Sequence, residues 1–349
     1  MVGIALEGGG VRGSYQAGVI SAFLECRIKF DGVCGTSIGA LNASIIASGE
    51  GAKLATIWRS MNMGHVFGFS DEFIKAVNSE NFHFNNIETF IKEGFSILLK
   101  KGIELEGVKK VIDEYLDVDK LYNSPIDYGL VTVRLKDFKP LYLWKKDMNK
   151  EKLRDYIIAS SFLPFFRREK LINNEYYLDG GFRDLGPVNM MLEKGYDKVY
   201  LIKVHGVGIS RKYDKNANVI EINPKRSLGG VMDLNPKQID ENIKMGYYDA
   251  IRLLKKLDGI NYVFTSKNEK YYRFINRNVS RKLYHRVSHF FKTNNYKDTT
   301  IKALEYIMQK EKYNYYEIYK PSKVIKKIQK TTEFNNFILN YIKKLKYFF

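Results

Sequence analysis

Gly35-Thr36-Ser37-Ile38-Gly39 stands between an apolar run and a stretch of small, helix-compatible residues. A serine with glycines two residues to either side is the pattern of a nucleophile elbow, a turn too tight for flanking side chains. Such a turn lifts the hydroxyl clear of a sheet. It also sets Ser37 at a helix N-terminus, where the dipole and free N–H groups favour developing negative charge. The chemistry this serves is acyl transfer to serine, and that chemistry needs a base within hydrogen-bond reach.

Two candidates for the base are open. Asp179, in Tyr177-Leu178-Asp179-Gly180-Gly181, ends an apolar run and precedes two glycines that allow close approach to another backbone. A partly buried carboxylate there could accept the serine proton, although Asp-Gly-Gly is just as readily a turn. Among the five histidines His65, His83, His205, His285 and His289, only His205 follows a strand-like run, where an α/β-hydrolase carries its triad histidine. Against that reading, Ser37 comes early in the chain, whereas an α/β-hydrolase usually places more strands ahead of its nucleophile.

A second glycine cluster, Gly8-Gly9-Gly10-Val11-Arg12-Gly13, fits G-x-G-x-x-G after the apolar run Val2–Leu6. The same spacing marks dinucleotide-binding folds, and Asp31 lies at about the right distance for a ribose-binding acid. Asp31 nevertheless precedes the core of the next strand, whereas such an acid should end it. Three consecutive glycines also suit the aiming of several backbone N–H groups into one space, as an oxyanion hole requires. Arg12 suits two roles equally, orienting a phosphate or carboxylate, or holding the loop through an internal ion pair.

The elements that must position these groups follow from periodicity. Val2–Leu6 and Phe30–Cys34 predict strands, while Ser14–Cys26 and Ala40–Ala47 predict helices. Further strands are expected at Ile126–Leu135, Leu141–Trp144, Tyr176–Leu178, Lys198–Val204, Val219–Ile222 and Tyr262–Thr265, with helices at Glu151–Ser160 and Gln238–Lys256. Alternation of this kind predicts a three-layer α/β/α fold with a mainly parallel central sheet. Both glycine motifs follow strands of one βαβ unit, so they should stand side by side at the carboxyl edge of the sheet. The stretch from Met61 to Gly107, rich in Phe and Asn and containing a helical piece at Ile87–Lys100, reads as an insertion or cap. Its apolar side chains suit either an acyl pocket or a local core.

Composition bounds the rest. With 349 residues, 45% hydrophobic and 14% aromatic, the chain can bury a large core, which argues against wholesale disorder. An excess of 57 basic over 39 acidic residues, +18, favours polyanions: nucleic acid or an anionic membrane surface. Two cysteines, Cys26 and Cys34, make neither a disulfide framework nor a zinc site. The N-terminus lacks a secretory pattern and no apolar run is long enough to span a bilayer, so a cytoplasmic chain with room for peripheral membrane docking is expected. Near residue 270 the composition turns to Tyr, Asn, Lys and Arg, which divides the chain into 1–270 and a helical, basic extension, 271–349. Its end, with Lys323, Lys326, Lys327, Lys343, Lys344, Lys346, Phe348 and Phe349, suits an interfacial anchor or a solvated lysine-rich helix.

Taken in order, the Gly8–Gly13 loop, the Gly35–Gly39 elbow and Asp179-Gly180-Gly181 resemble the three signatures of patatin-like phospholipases. Ser14-Tyr15-Gln16-Ala17-Gly18 and the stretch Ala159–Phe166 are also similar to that family, and the resemblance covers roughly residues 2 to 265. It implies a Ser37–Asp179 dyad without histidine, oxyanion donors in the Gly8–Gly13 loop, a lipid ester as substrate, and no metal or organic cofactor. One departure stands out: Leu185 occupies a position where many relatives have asparagine, so support around Asp179 should differ here. The competing expectations are an esterase using His205, a non-enzymatic polyanion-binding protein, and, last, a dinucleotide-dependent oxidoreductase. No recognised nucleic-acid motif is present.

Overall fold

The computed structural model describes residues 1–60, 105–163, 166–167, 169–231, 233, 235–330 and 336–346. The expected cap at 61–107 lies almost wholly outside the described residues, as do Pro164, Phe165, Phe348 and Phe349. The chain divides into two compact units, Met1–Asp249 and Ala250–Phe349.

The first unit opens with β1 (Val2–Leu6), α1 (Ser14–Glu25), β2 (Gly32–Thr36), α2 (Ile38–Ile45) and α3 (Leu54–Ser60). It continues through α4 (Glu106–Tyr115), α5 (Val118–Asn123), β3 (Asp127–Arg134), β4 (Lys139–Trp144) and α6 (Leu153–Ser160). Then come β5 (Tyr177–Asp179), α7 (Val188–Glu193), β6 (Lys198–Ile202), β7 (Val219–Ile222) and α8 (Pro236–Leu254), the last running across the division between the units. The strands form one sheet in the order β4-β3-β2-β1-β6-β7, with β5 also paired to β3. All neighbours are parallel except β4 and β5, which run antiparallel to β3.

Every residue of β2, and every residue of β1 and β6 after the first, is buried. That is the signature of central parallel strands covered on both faces. Alternation sorts their side chains. Ala5, Cys34, Val131 and Leu201 pack with Val188, Met190 and Met191 of α7 on one side. On the other, the Phe23 ring of α1 meets Tyr200 edge-on at 4.9 Å, and the Tyr128 hydroxyl donates to the Ala40 carbonyl of α2. The layered α/β fold is as the sequence predicts. Its boundaries differ at β2, which begins two residues later than expected and so runs to the residue before Ser37.

Topology supplies what periodicity could not. Residues Thr132, Val133 and Arg134 pair with β4 on one edge of β3 and with β5 on the other. β2 occupies that second edge over Asp127–Val131. β5 therefore lies end to end with β2 along β3, and Asp179 arrives against the end of the strand that delivers Ser37.

The second unit has β8 (Val263–Phe264), α9 (Glu269–Ile275), α10 (Arg281–Phe291), α11 (Tyr296–Lys310), β9 (Ile318–Tyr319), α12 (Pro321–Ile328) and α13 (Phe337–Lys344). It owns a core that includes Tyr262, Phe264, Leu304, Ile325 and Tyr341. The strand expected at Tyr262–Thr265 exists, but it pairs with β9 in a separate two-stranded sheet. The buried Glu305 carboxylate also takes the N–H groups of Ile260, Asn261 and Tyr262 at 2.6, 3.0 and 3.1 Å. These ties place residues 260–265 with the second unit, ahead of the compositional change near 270.

Candidate active site

Ser37 joins β2 to α2 with φ 56° and ψ −128°, a left-handed conformation that a serine tolerates only where the surroundings hold it. The glycines explain the turn. A side chain on Gly35 would run into the Gly39 carbonyl, and one on Gly39 into the Leu6 carbonyl at the end of β1. Its hold comes from Ser160, the last residue of α6. The Ser37 N–H donates to Ser160 Oγ at 3.0 Å, while that hydroxyl donates to the Val131 carbonyl of β3 at 2.7 Å.

Asp179 is fixed just as closely. Its N–H donates to the Phe162 carbonyl at 2.8 Å, and its Oδ1 accepts the Gly181 N–H at 2.7 Å. Oδ2 is buried and has no well-formed hydrogen bond. Burial raises the carboxyl to about 6; the Ser37 hydroxyl beside it and the Gly181 N–H pull in the opposite direction. Ser37 and Asp179 therefore share one pocket, and their neighbourhood poises the carboxyl near neutrality.

Gly8, Gly9 and Gly10 line the same pocket. Gly10 has φ +57°, and a side chain on it would strike the Val231 carbonyl. Three of the loop's N–H groups are committed: Gly8 to Leu185 O at 2.9 Å, Val11 to Val231 O at 2.9 Å and Arg12 to Gly9 O at 3.3 Å. Among the described residues, nothing takes the N–H groups of Gly9 and Gly10. Gly13 and Val11 are buried behind the loop, Gly13 against Ile38 and Trp58.

Arg12 is held by main-chain carbonyls and not by an internal ion pair among the described residues. Its Nε donates to Gly229 O at 2.8 Å and its Nη1 to His205 O, so it clamps two neighbouring loops by their carbonyls. Burial lowers its pKa, with the Glu7 charge acting against that. Glu7 is a residue that motif reasoning missed. Its buried carboxylate accepts the N–H groups of Val204 and His205 at 2.5 and 2.7 Å, and burial raises its pKa. The signal was an acidic residue at the end of a buried apolar strand, which must be satisfied by something. Asn42 is another: its amide donates to Gly13 O at 3.0 Å and Gln16 Oε1 at 2.8 Å, tying α2 to the glycine loop.

His205 is brought near by its backbone, not its ring. The residue is exposed, adopts φ +51°, and is absent from the pocket lining. Asp31 stands at the far end of the sheet from Gly8–Gly13, where its carboxylate accepts the Val2 N–H at 2.7 Å. That placement removes the ribose-binding role. Leu185 is buried and lines the pocket. Support for the Asp-Gly-Gly loop comes from the main chain instead: Thr36 Oγ1 donates to Asp184 O at 2.8 Å, and Leu185 N donates to Ile209 O at 2.7 Å. No group of three or more His, Cys, Asp or Glu among the described residues could hold a metal, and no helix among them is long and apolar enough to cross a membrane.

A family model described as patatin-like phospholipase matches residues 4–192, which contain all three glycine motifs. The chain is 26% identical over 204 residues to the uncharacterized protein YjjU of Escherichia coli K12, covering 58% of this chain. It spans 51% of that relative's length, about half. Among solved structures, VipD from Legionella pneumophila aligns with a TM-score of 0.45 at 13% identity, over 97% of this chain and 83% of VipD. ExoU of Pseudomonas aeruginosa, in its complex with SpcU, aligns with a TM-score of 0.30 at 12% identity, over 99% and 70%. These two likenesses are loose.

Proposed function

Because the chain belongs to the patatin-like phospholipase family, we propose that it is a serine lipid acyl hydrolase, of phospholipase A or lysophospholipase type, working through a Ser37–Asp179 dyad. One observation carries this reading: a serine held in a strained turn shares a pocket with a buried carboxyl that is raised to about 6. Near neutral pH such a carboxylate is ionised yet basic enough to take a proton.

In the proposed cycle, Ser37 Oγ attacks the ester carbonyl as Asp179 Oδ2 accepts the serine proton. The unclaimed N–H groups of Gly9 and Gly10 receive the oxyanion, and Asp179 returns the proton to the departing alcohol. Water then surrenders a proton to Asp179 and attacks the acyl-serine, which releases the fatty acid and restores the hydroxyl. Donors already fixed in place need no reorganisation as charge develops, and each is typically worth about 10²–10³ in rate. Arg12 and Glu7 support this by fixing the loops around the donors. The remaining lining, with Leu163, Phe182, Leu185, Val207 and Val231, is apolar and suits an acyl chain. Access to a lipid implies peripheral contact of a cytoplasmic protein with an anionic membrane.

The test uses mixed phospholipid vesicles with wild-type, Ser37→Ala and Asp179→Asn proteins, products being read by mass spectrometry. Fatty acid released by the wild type and by neither variant supports the dyad, and the lysophospholipid isomers name the bond cut. Folded wild-type protein that releases nothing from any lipid class or simple ester removes the reading.

A further inference from the structure

The basic excess of this chain is segregated. Residues 250–349 hold 23 lysines and arginines against 7 acidic residues, so +16 of the total +18 sits in the second unit, while residues 1–249 are close to neutral. The hydrolase site lies wholly in the near-neutral unit and uses none of that charge.

Within the second unit the helices sort their side chains sharply. α12 buries Pro321, Val324, Ile325 and Ile328 and exposes Lys323, Lys326 and Lys327, with Lys330 exposed just past its end. α13 buries Ile338, Leu339, Tyr341 and Ile342 and exposes Lys343 and Lys344. At the C-terminal end of α10 a cleft is lined by Arg286, Lys292, His285 and His289, with the hydroxyl-bearing Ser288 and Thr293. Among the described residues, no carboxylate lines it. Beside it Phe290 is 52% exposed, one of the largest apolar exposures among the described residues.

We propose that the second unit is a docking module for an anionic phospholipid surface. The α10 cleft takes the headgroup phosphate, Phe290 enters the headgroup–acyl boundary, and the α12 and α13 lysines supply the long-range attraction. Cations attract any polyanion. An exposed aromatic side chain next to an open cationic cleft is the combination that interfacial binding uses, because it adds buried apolar area to the electrostatic term. The biological purpose of the docking rests on the lipid-hydrolase reading, but the binding itself does not.

Co-sedimentation of the full chain with phosphatidylcholine vesicles, with and without phosphatidylglycerol, tests it. Binding needs no turnover, so Ser37→Ala protein should partition like wild type, and loss of hydrolysis cannot imitate loss of docking. Wild type should bind the phosphatidylglycerol vesicles and leave them as salt rises. Each cation near the surface is worth roughly fivefold in partition, so Arg286→Gln with Lys292→Gln should weaken binding roughly 25-fold. Lys323→Gln with Lys330→Gln, both exposed, the first on α12 and the second just past its end, should weaken it by a similar factor. That second pair keeps the test open if the first does not fold. Equal partition onto both vesicle types, or folded variants of both pairs that bind like wild type, would overturn the proposal. So would a DNA duplex that strips the protein from the vesicles at lower charge concentration than the lipid itself, since the surface would then belong to nucleic acid.

Discussion

Thr36 and Asp179 are registered against consecutive residues of one strand: Thr36 pairs with Val131 and Asp179 with Thr132. β3 acts as a splint on which two segments about 140 residues apart in sequence meet end to end. Ser37 is the next residue after Thr36, so the register that aligns β2 and β5 also brings its hydroxyl to the Asp179 carboxyl. Ser160 binds the Ser37 amide and the Val131 carbonyl, which locks the meeting point from a third segment.

The Ser37–Asp179 dyad and the His205 alternative predict different losses on substitution. Ser37→Ala should leave no measurable ester hydrolysis, and Asp179→Asn should lower kcat by on the order of 10²–10⁴. His205→Ala should keep at least a third of wild-type activity, because the exposed ring does not line the pocket. Steady-state kinetics on a short-chain ester checks all three; an inactive, folded His205→Ala enzyme would return the triad reading.

The pH profile follows from Asp179. The carboxylate must be ionised to accept a proton, so kcat/KM should rise with pH, reach half its plateau near pH 6, and fall about tenfold per pH unit below that. Stability runs the other way. The folded pKa of about 6 lies above the ordinary 3.8, so this group's contribution is fully present below about pH 4 and is lost as pH rises through 6. Asp179→Asn removes a cost of about 3 kcal/mol at pH 7 and almost nothing at pH 4. Denaturation of both proteins at the two pH values measures the difference.

Ser160→Ala tests the clamp. The variant leaves the Ser37 amide without its acceptor inside a buried turn, at a cost of about 1–3 kcal/mol. Because a displaced nucleophile affects attack more than substrate binding, kcat should drop about tenfold or more with KM little changed. Parallel losses in both parameters would mean that Ser160 only supports the fold.

Glu7 should behave as a structural carboxylate. Glu7→Ala strands the buried Val204 N–H and the part-buried His205 N–H and should destabilise the first unit by roughly 2–5 kcal/mol. Glu7→Gln retains an oxygen that can accept both bonds and should recover most of that loss. Chemical denaturation of the three proteins reads it directly.

Gly10→Ala should abolish activity more completely than it unfolds the protein. The residue adopts φ +57°, and its added methyl would meet the Val231 carbonyl, so the loop must shift to relieve it. A still-folded protein with a lowered melting temperature and kcat lowered by about 10² or more is the expected pair of results.

Much was written in the sequence. Local rules sufficed for the elbow, because Gly35 and Gly39 mark a turn that only glycine allows, and for the parallel sheet, because strands alternate with helices along the chain. The three glycine motifs identified the family through their order alone. Other features depend on partners far away in the chain and carry no periodic trace. The antiparallel placement of β5 beside β3, the carbonyl clamp made by Arg12 and the anchoring by Glu7 are of this kind. The different placements of Asp179 and His205 belong with them. Both follow strand-like runs, and only the sheet order turns one side chain toward Ser37 and leaves the other in solvent, since a three-residue strand takes its neighbours from register and not from its own composition.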